Sequence, residues 1–213
     1  NLEKVIADGS VKIKDLNKNI TIIAKKINYF KKINKIVTEG LTIINLEPKY
    51  KFNSKNITFL QDQMKLFSSH KTTISDNNFS LYSLSSFDYQ IEKEFLKGTD
   101  ISIIENSNLP NGESDEYFFT TGFFDLKNQN FKTGEAKIKL KKNIFGKTDN
   151  DPRLYGASLS KKDGISSIKK AVFTSCKKTD SCPPWKLEAS EIKHDKKKKQ
   201  LIYDDTVLKL YDI

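Results

Sequence analysis

Arginine is almost missing from this chain: Arg153 is the only one, and every other basic residue is lysine, although the net charge is +10. Planar, bidentate reading of phosphates and base edges favours arginine, so the positive charge argues against a nucleic-acid partner. Lysines in such excess fit the solvated faces and guarded edges of β-sheets, or attraction toward an anionic lipid or membrane surface. Cysteine is also scarce. Cys176 and Cys182 lie in SCKKTDSCPPW, and His70 and His194 are too few and too scattered to complete a zinc site, so no metal is expected. A disulfide is expected instead, either between these two or with cysteines elsewhere, which places the chain in an oxidising compartment. No apolar run reaches the length of a membrane-spanning helix. Residues 1–8 lack the apolar core of a signal peptide, so any export signal is expected to have been removed or left out. A glycine-rich phosphate loop and a GxSxG nucleophile turn are both lacking, and no acidic pair stands out as an acid/base couple. His194, at the lip of a hairpin, has no evident partner that would make it a catalytic base. These gaps favour a binder that is not an enzyme and needs no cofactor.

What is present is strand. Hydrophobic residues make up only 37 % of the 213, yet aromatics reach 11 %, which a disordered chain would lack. Apolar residues recur at every second position, as in Val11 and Ile13, Ile20 and Ile22, or Leu208 and Leu210, the period of a strand with one buried face. The segment from Trp185 to Ile213 reads as strands joined by a turn at Lys196–Lys199, and looser versions of the same design precede it. Tyr29 and Ile43, Phe87 and Ile101, Phe124 and Ile138, and His194 and Leu208 each stand 14 residues apart. Gly40, Gly98 and Gly134 fall inside the first three intervals, and Asp205 takes that place in the fourth. Each unit therefore reads as strand, polar turn, strand, tight corner and strand, with glycine at the corner. Such a unit cannot bury its apolar face alone and must stack on its neighbours. A single all-β domain over 1–213 is expected, a jelly roll or a flattened solenoid of stacked antiparallel hairpins with an open apolar groove.

That groove would suit an elongated apolar ligand. Its candidate lining is Phe87, Phe95, Ile101, Ile103, Phe124, Phe131, Ile138 and Leu140, residues that would equally serve as plain sheet-to-sheet core. An unpaired terminal strand at either end could take strands from another chain.

Three further stretches carry a resemblance. Gly9-Ser10-Val11, Ala24-Lys25-Lys26-Ile27-Asn28-Tyr29 and Gly40-Leu41-Thr42-Ile43 look like a first repeat, Asp151-Pro152-Arg153-Leu154-Tyr155-Gly156 and Val172–Cys176 like a later segment, and Trp185–Ile213 like a terminal hairpin. Together they resemble the periplasmic N-terminal domain of the LptD family of lipopolysaccharide-assembly proteins (organic solvent tolerance protein, OstA), which shares its repeat with the LptA bridge protein. Ser10 stands where the family often has asparagine, and Lys25 where an acidic residue is common. The family continues into a transmembrane β-barrel that these 213 residues do not include. The resemblance implies a jelly roll of the β-taco kind at the periplasmic face of the outer membrane of a Gram-negative bacterium. It implies lipopolysaccharide as ligand, with acyl chains in the groove and the first repeat adding Ile22, Ile27, Tyr29 and Ile43 to the lining. It also implies three partners: a bridge protein of the LptA type by edge-strand addition, the family's own C-terminal barrel, and that barrel's plug lipoprotein of the LptE type. Cys176 and Cys182 would help tie the domain to the barrel. The competing readings from the residues are a structural or adhesion-like solenoid with a filled core, and a polysaccharide-active enzyme on a β-helix.

Overall fold

The computed structural model describes residues 3–110, 113–142, 150–177, 184–195, 198 and 200–211. Among these the chain is all-β and antiparallel throughout, with a 3-10 turn at Lys31–Ile33, and no helix is long and apolar enough to cross a membrane. Seven long strands carry the ladder: β1 (Lys4–Asp15), β2 (Ile20–Phe30), β3 (Lys35–Leu46), β10 (Phe95–Ile104), β11 (Glu116–Asp125), β16 (Ile165–Thr174) and β17 (Trp185–Asp195). The others come as end-to-end pairs that together match one long strand. They are β4 (Tyr50–Lys55) with β5 (Thr58–Leu60), β6 (Lys65–Ser68) with β7 (Thr72–Asp76), and β8 (Leu81–Leu84) with β9 (Ser86–Gln90). Further along come β12 (Asn130–Thr133) with β13 (Ala136–Lys139), β14 (Arg153–Gly156) with β15 (Ser158–Lys162), and β18 (Gln200–Asp204) with β19 (Val207–Leu210). Each long strand or pair is one rung. Neighbouring rungs pair antiparallel from β1 to β18 and β19, and these end rungs have a partner along one edge only among the described residues.

Every rung bends at a corner in its middle, so its two arms belong to two leaves whose inner faces meet. The bend shows in the burial pattern. Strict alternation would space inward residues by two, but across the corner they stand three apart: Ala24 and Ile27, Leu84 and Phe87, Gly98 and Ile101, Ile168 and Ala171, Ala189 and Ile192 are all buried. One extra residue at the bend works as a β-bulge does, re-aiming the strand. The register slips there in β1 and β2. Left-handed backbone collects at the same places, at Gly9 (φ +93), Gly40 (φ +79), Asn56, Asp100, Lys170 and Asp205.

The 14-residue units appear with the expected order of strand, turn, strand, corner and strand. Their glycines have different jobs. Gly40 supplies a positive φ, whereas Gly98 sits inside the corner where a Cβ would lie 2.3 Å from Leu84 Cδ2, and the left-handed residue of that rung is Asp100.

Small polar residues pack where the leaves converge, and their hydroxyls satisfy backbone groups that the bends free. Thr38 Oγ1 accepts the Ile57 N–H at 2.8 Å and the Thr42 hydroxyl at 2.7 Å, and Ser68 donates to the Lys55 carbonyl at 2.8 Å. Thr38 is 1 % exposed, so Thr38→Val would strand a buried N–H, a loss of about 1–3 kcal/mol. Equilibrium urea unfolding would detect it, and a change below about 0.5 kcal/mol would show that the hydroxyl is dispensable.

Outer faces carry ion pairs: across strands Lys26 with Glu39 at 3.0 Å, Lys65 with Asp88 at 2.7 Å and Lys193 with Asp204 at 3.2 Å, and along β17 Lys193 with Glu191 at 2.8 Å. Hydrogen bonds from Asn28 and Lys26 hold the Glu39 carboxyl below its usual range. Exposed pairs of this sort add little to stability, so the lysines act chiefly to solubilise.

Candidate functional site

The candidate site is the space between the leaves. Because pairing is continuous, one inward position on each rung lines up with the next to form a row along the ribbon. In the first leaf a single row passes from Ile22 to Ile44, Phe52, Ile74 and Tyr82. It continues through Ile103, Tyr117 and Ile138 to Leu154, Phe173, Leu187 and Leu208. The second leaf has its own row: Tyr29, Ile36, Phe59, Leu66, Tyr89, Leu96, Phe124 and Phe131.

The jelly roll or taco with an open groove expected from the sequence is not what the strands form: they close into an 8-strand barrel, and along the N-terminal rungs the two rows meet and leave no open groove. Phe52 of the first leaf touches Phe87 (5.4 Å between ring centres) and Tyr89 (5.3 Å) of the second, and Tyr50 meets Tyr89 edge-on at 6.0 Å. Ile44, Leu66 and Phe52 are at most 1 % exposed. The hairpin turns of the two leaves also meet. Lys49 Nζ lies 2.5 Å from Glu94 Oε1, and Lys18 Nζ lies 3.0 Å from Met64 Sδ, each joining a turn of one leaf to a turn of the other. Burial next to Glu94 and Asp76 raises the Tyr50 phenol to about 12, the desolvation being the larger cause, and burial likewise pushes Tyr82, Tyr89 and Tyr117 upward. All four phenols therefore stay neutral at neutral pH.

The packing loosens toward the C-terminal rungs. Ile103 and Ile138 are 8 % exposed, Leu154, Phe173 and Leu187 are half-buried, and Leu208 is 58 % exposed. The same apolar row that forms the sealed core at one end thus runs out uncovered at the other, on β19, where Val207 and Leu210 are exposed as well.

Seven of the expected lining residues, Ile22, Ile27, Phe87, Ile101, Ile103, Phe124 and Ile138, face inward and are buried; Tyr29, Phe131 and Leu140 are half-buried against them. They are core in this structure, and no open trough separates them. Two of the expected residues face outward. In β3 the inward side chain is Ile44, because Thr38 and Thr42 stand four apart across the Gly40 corner and shift the face by one relative to the other units, leaving Ile43 half-buried on the outer surface. In β10 it is Leu96, and Phe95 packs against outward Phe123, with ring centres 5.3 Å apart and the planes tilted. Phe52, Leu66, Tyr89 and Leu96 belong to the rows but carry no distinguishing motif. Only the register of the ladder picks them out.

Cys176 is buried, with its thiol 3.7 Å from the Trp185 carbonyl, and Arg153 donates to the Cys176 carbonyl at 2.5 Å and to the Asp151 carbonyl at 3.0 Å. Cys182, the other half of the expected disulfide, lies outside the described residues. On the outer surface beside this segment, Phe118, Lys137, Lys139 and Tyr155 line a shallow depression of about 260 Å³, with the Lys139 ammonium 4.4 Å from the Phe118 ring centre.

No protein-family model matches the chain, and no curated protein matches it.

Proposed function

We propose that the chain is a lipid-conducting domain of the lipopolysaccharide-assembly kind: a jelly roll of the β-taco type whose leaves part to carry acyl chains from a periplasmic bridge protein toward an outer-membrane barrel. The observation that carries this reading is the unbroken inward apolar row, sealed at Phe52 and Ile74 and uncovered at Leu208. A folded chain does not leave a contiguous apolar face in water without an occupant, and here that face continues the core instead of standing apart from it. The unpaired edge of β1 offers backbone groups to a bridge protein of the LptA type by strand addition. β18 and β19 offer theirs to a following barrel and, beyond it, a plug lipoprotein of the LptE type. Lysines near the rim would favour the phosphates of the lipid, an attraction screened by salt. The resemblance read from the sequence supports the same reading and implies a position at the periplasmic face of the outer membrane.

One observation favours a second reading, a structural solenoid with a filled core: the N-terminal rungs are sealed by their own side chains. A photo-crosslinking residue at Ile138 separates the two. Ile138 sits where packing begins to loosen, so conduction predicts an adduct with lipopolysaccharide in detergent-free solution, and a weaker or absent adduct from a probe at Ile74, deep in the sealed section. Absence of lipid adducts from Ile138 and from Phe124 would establish the filled scaffold.

A further inference from the structure

The row of the second leaf changes character after Phe131. Its cross-strand partner on β15 is Lys161, which pairs with Ser166 on β16, which in turn pairs with His194 on β17. Lys161 is two residues beyond buried Leu159, Ser166 two before buried Ile168, and His194 two beyond buried Ile192, so all three share the inward face. All are half-buried, and among the described residues none makes a side-chain hydrogen bond or ion pair. The other arms of the same three rungs carry Leu154, Phe173 and Leu187 inward. One section of the interior is therefore apolar on one leaf and cationic and hydroxylic on the other.

Neighbouring strands lie about 4.8 Å apart, so the ammonium, the hydroxyl and the imidazole span roughly 10 Å, the reach of one phosphate group bound by two or three donors. We propose that Lys161, Ser166 and His194 form a phosphate-binding site inside the C-terminal end of the ribbon, which receives the phosphorylated headgroup of an amphiphile while its acyl chains lie on Leu154, Phe173 and Leu187. The position favours this use over solubilisation. Lysines that solubilise this protein point outward, whereas this one replaces the Phe and Leu of the preceding rungs on the inner face. The lipid half of the proposal rests on the conduit reading above. The phosphate half does not.

The test uses the 213-residue chain with two probes. Inorganic phosphate is titrated against chloride of matched ionic strength while the ring-proton NMR signals of His194 are followed. Separately, affinities are measured for an acylated glucosamine disaccharide with its phosphates and for the same glycolipid without them. A saturable movement of His194 with phosphate is expected. So is about a tenfold preference for the phosphorylated glycolipid, as one or two charge-assisted hydrogen bonds supply, and Lys161→Leu should abolish that preference. Leucine occupies the equivalent place at Leu66 and Leu96, so this variant should fold; Lys161→Gln serves as a second variant of similar length. A response to inorganic phosphate with equal binding of both glycolipids would assign the site to a free phosphate. No phosphate response together with an unchanged preference in Lys161→Leu would overturn the site. If Ile138 captures lipid while His194 ignores phosphate, the site fails and the conduit stands; if His194 responds and Ile138 captures nothing, the conduit fails.

Discussion

Replacing Phe52 by alanine is expected to lower the unfolding free energy by about 3–5 kcal/mol, the range for removing a buried aromatic ring. The reading is a drop in the urea midpoint with an unchanged slope. Phe52 is 1 % exposed and packs on two rings of the opposite leaf, so its loss opens a cavity at the seam and removes the aromatic contacts that draw the leaves together. The Lys49–Glu94 pair at the mouth cannot compensate, because the lysine side chain is 55 % exposed and water competes with it. Holding the leaves shut is thus the work of the rings and not of the ion pair. A loss below about 1 kcal/mol would mean that the leaves stand apart at Phe52 in solution and that the sealed section is not the resting state. The same variant bears on conduction. If parting of the leaves limits lipid entry, Phe52→Ala should strengthen the lipid adduct at Ile74, the site expected to label weakly in the parent protein.

Much of this architecture was legible in the residues, and the gaps have identifiable causes. Alternation in Ile20–Ala24, Ile101–Ile103 and Leu208–Leu210 revealed the strands, and the 14-residue spacing revealed the rungs. Alternation alone, however, cannot say which of two faces is inner once a bend inserts a residue. Ile43 and Phe95 therefore read as inner residues, whereas the inner ones are Ile44 and Leu96. The corner polar residues Thr38, Ser54, Ser68 and Thr72 read as surface from their chemistry, but they are buried because their hydroxyls complete the hydrogen bonding of the bends. Glycine at a corner reads as a demand for left-handed backbone, which holds for Gly40 and fails for Gly98. Lys161, Ser166 and His194 lie up to 33 residues apart in the chain and become neighbours only through the register of β15, β16 and β17. In the sequence His194 stands alone at the lip of a hairpin, and its neighbours across the ladder are what give it a context.

The second large effect concerns the glycines of the corner. Gly98 and Gly122 are directly paired across β10 and β11, and both face inward. A Cβ on Gly122 would lie 2.5 Å from the Phe124 ring and 2.8 Å from Ile101 Cδ1, closer than side chains tolerate, so Gly122→Ala is expected to cost about 1–3 kcal/mol by overpacking. Part of the clash is removable. Ile101→Val deletes the offending methyl and by itself costs about 0.5–1.5 kcal/mol, so the double variant should be more stable than the sum of the single losses predicts, by at least about 0.5 kcal/mol. Gly98→Ala provides the contrast. Its Cβ would press on Leu84 Cδ2 at 2.3 Å and on the Ser86 carbonyl at 3.0 Å, contacts that shortening Ile101 does not relieve, so Ile101→Val should rescue Gly122→Ala and leave Gly98→Ala unaided. Additive losses in both backgrounds would show that the corner yields by moving backbone and not side chains. The leaves would then be hinged loosely enough there to part without help from the mouth. A selective rescue would show instead that the corner is a rigid fold line packed around Ile101, so that any opening must start at the turns and travel inward.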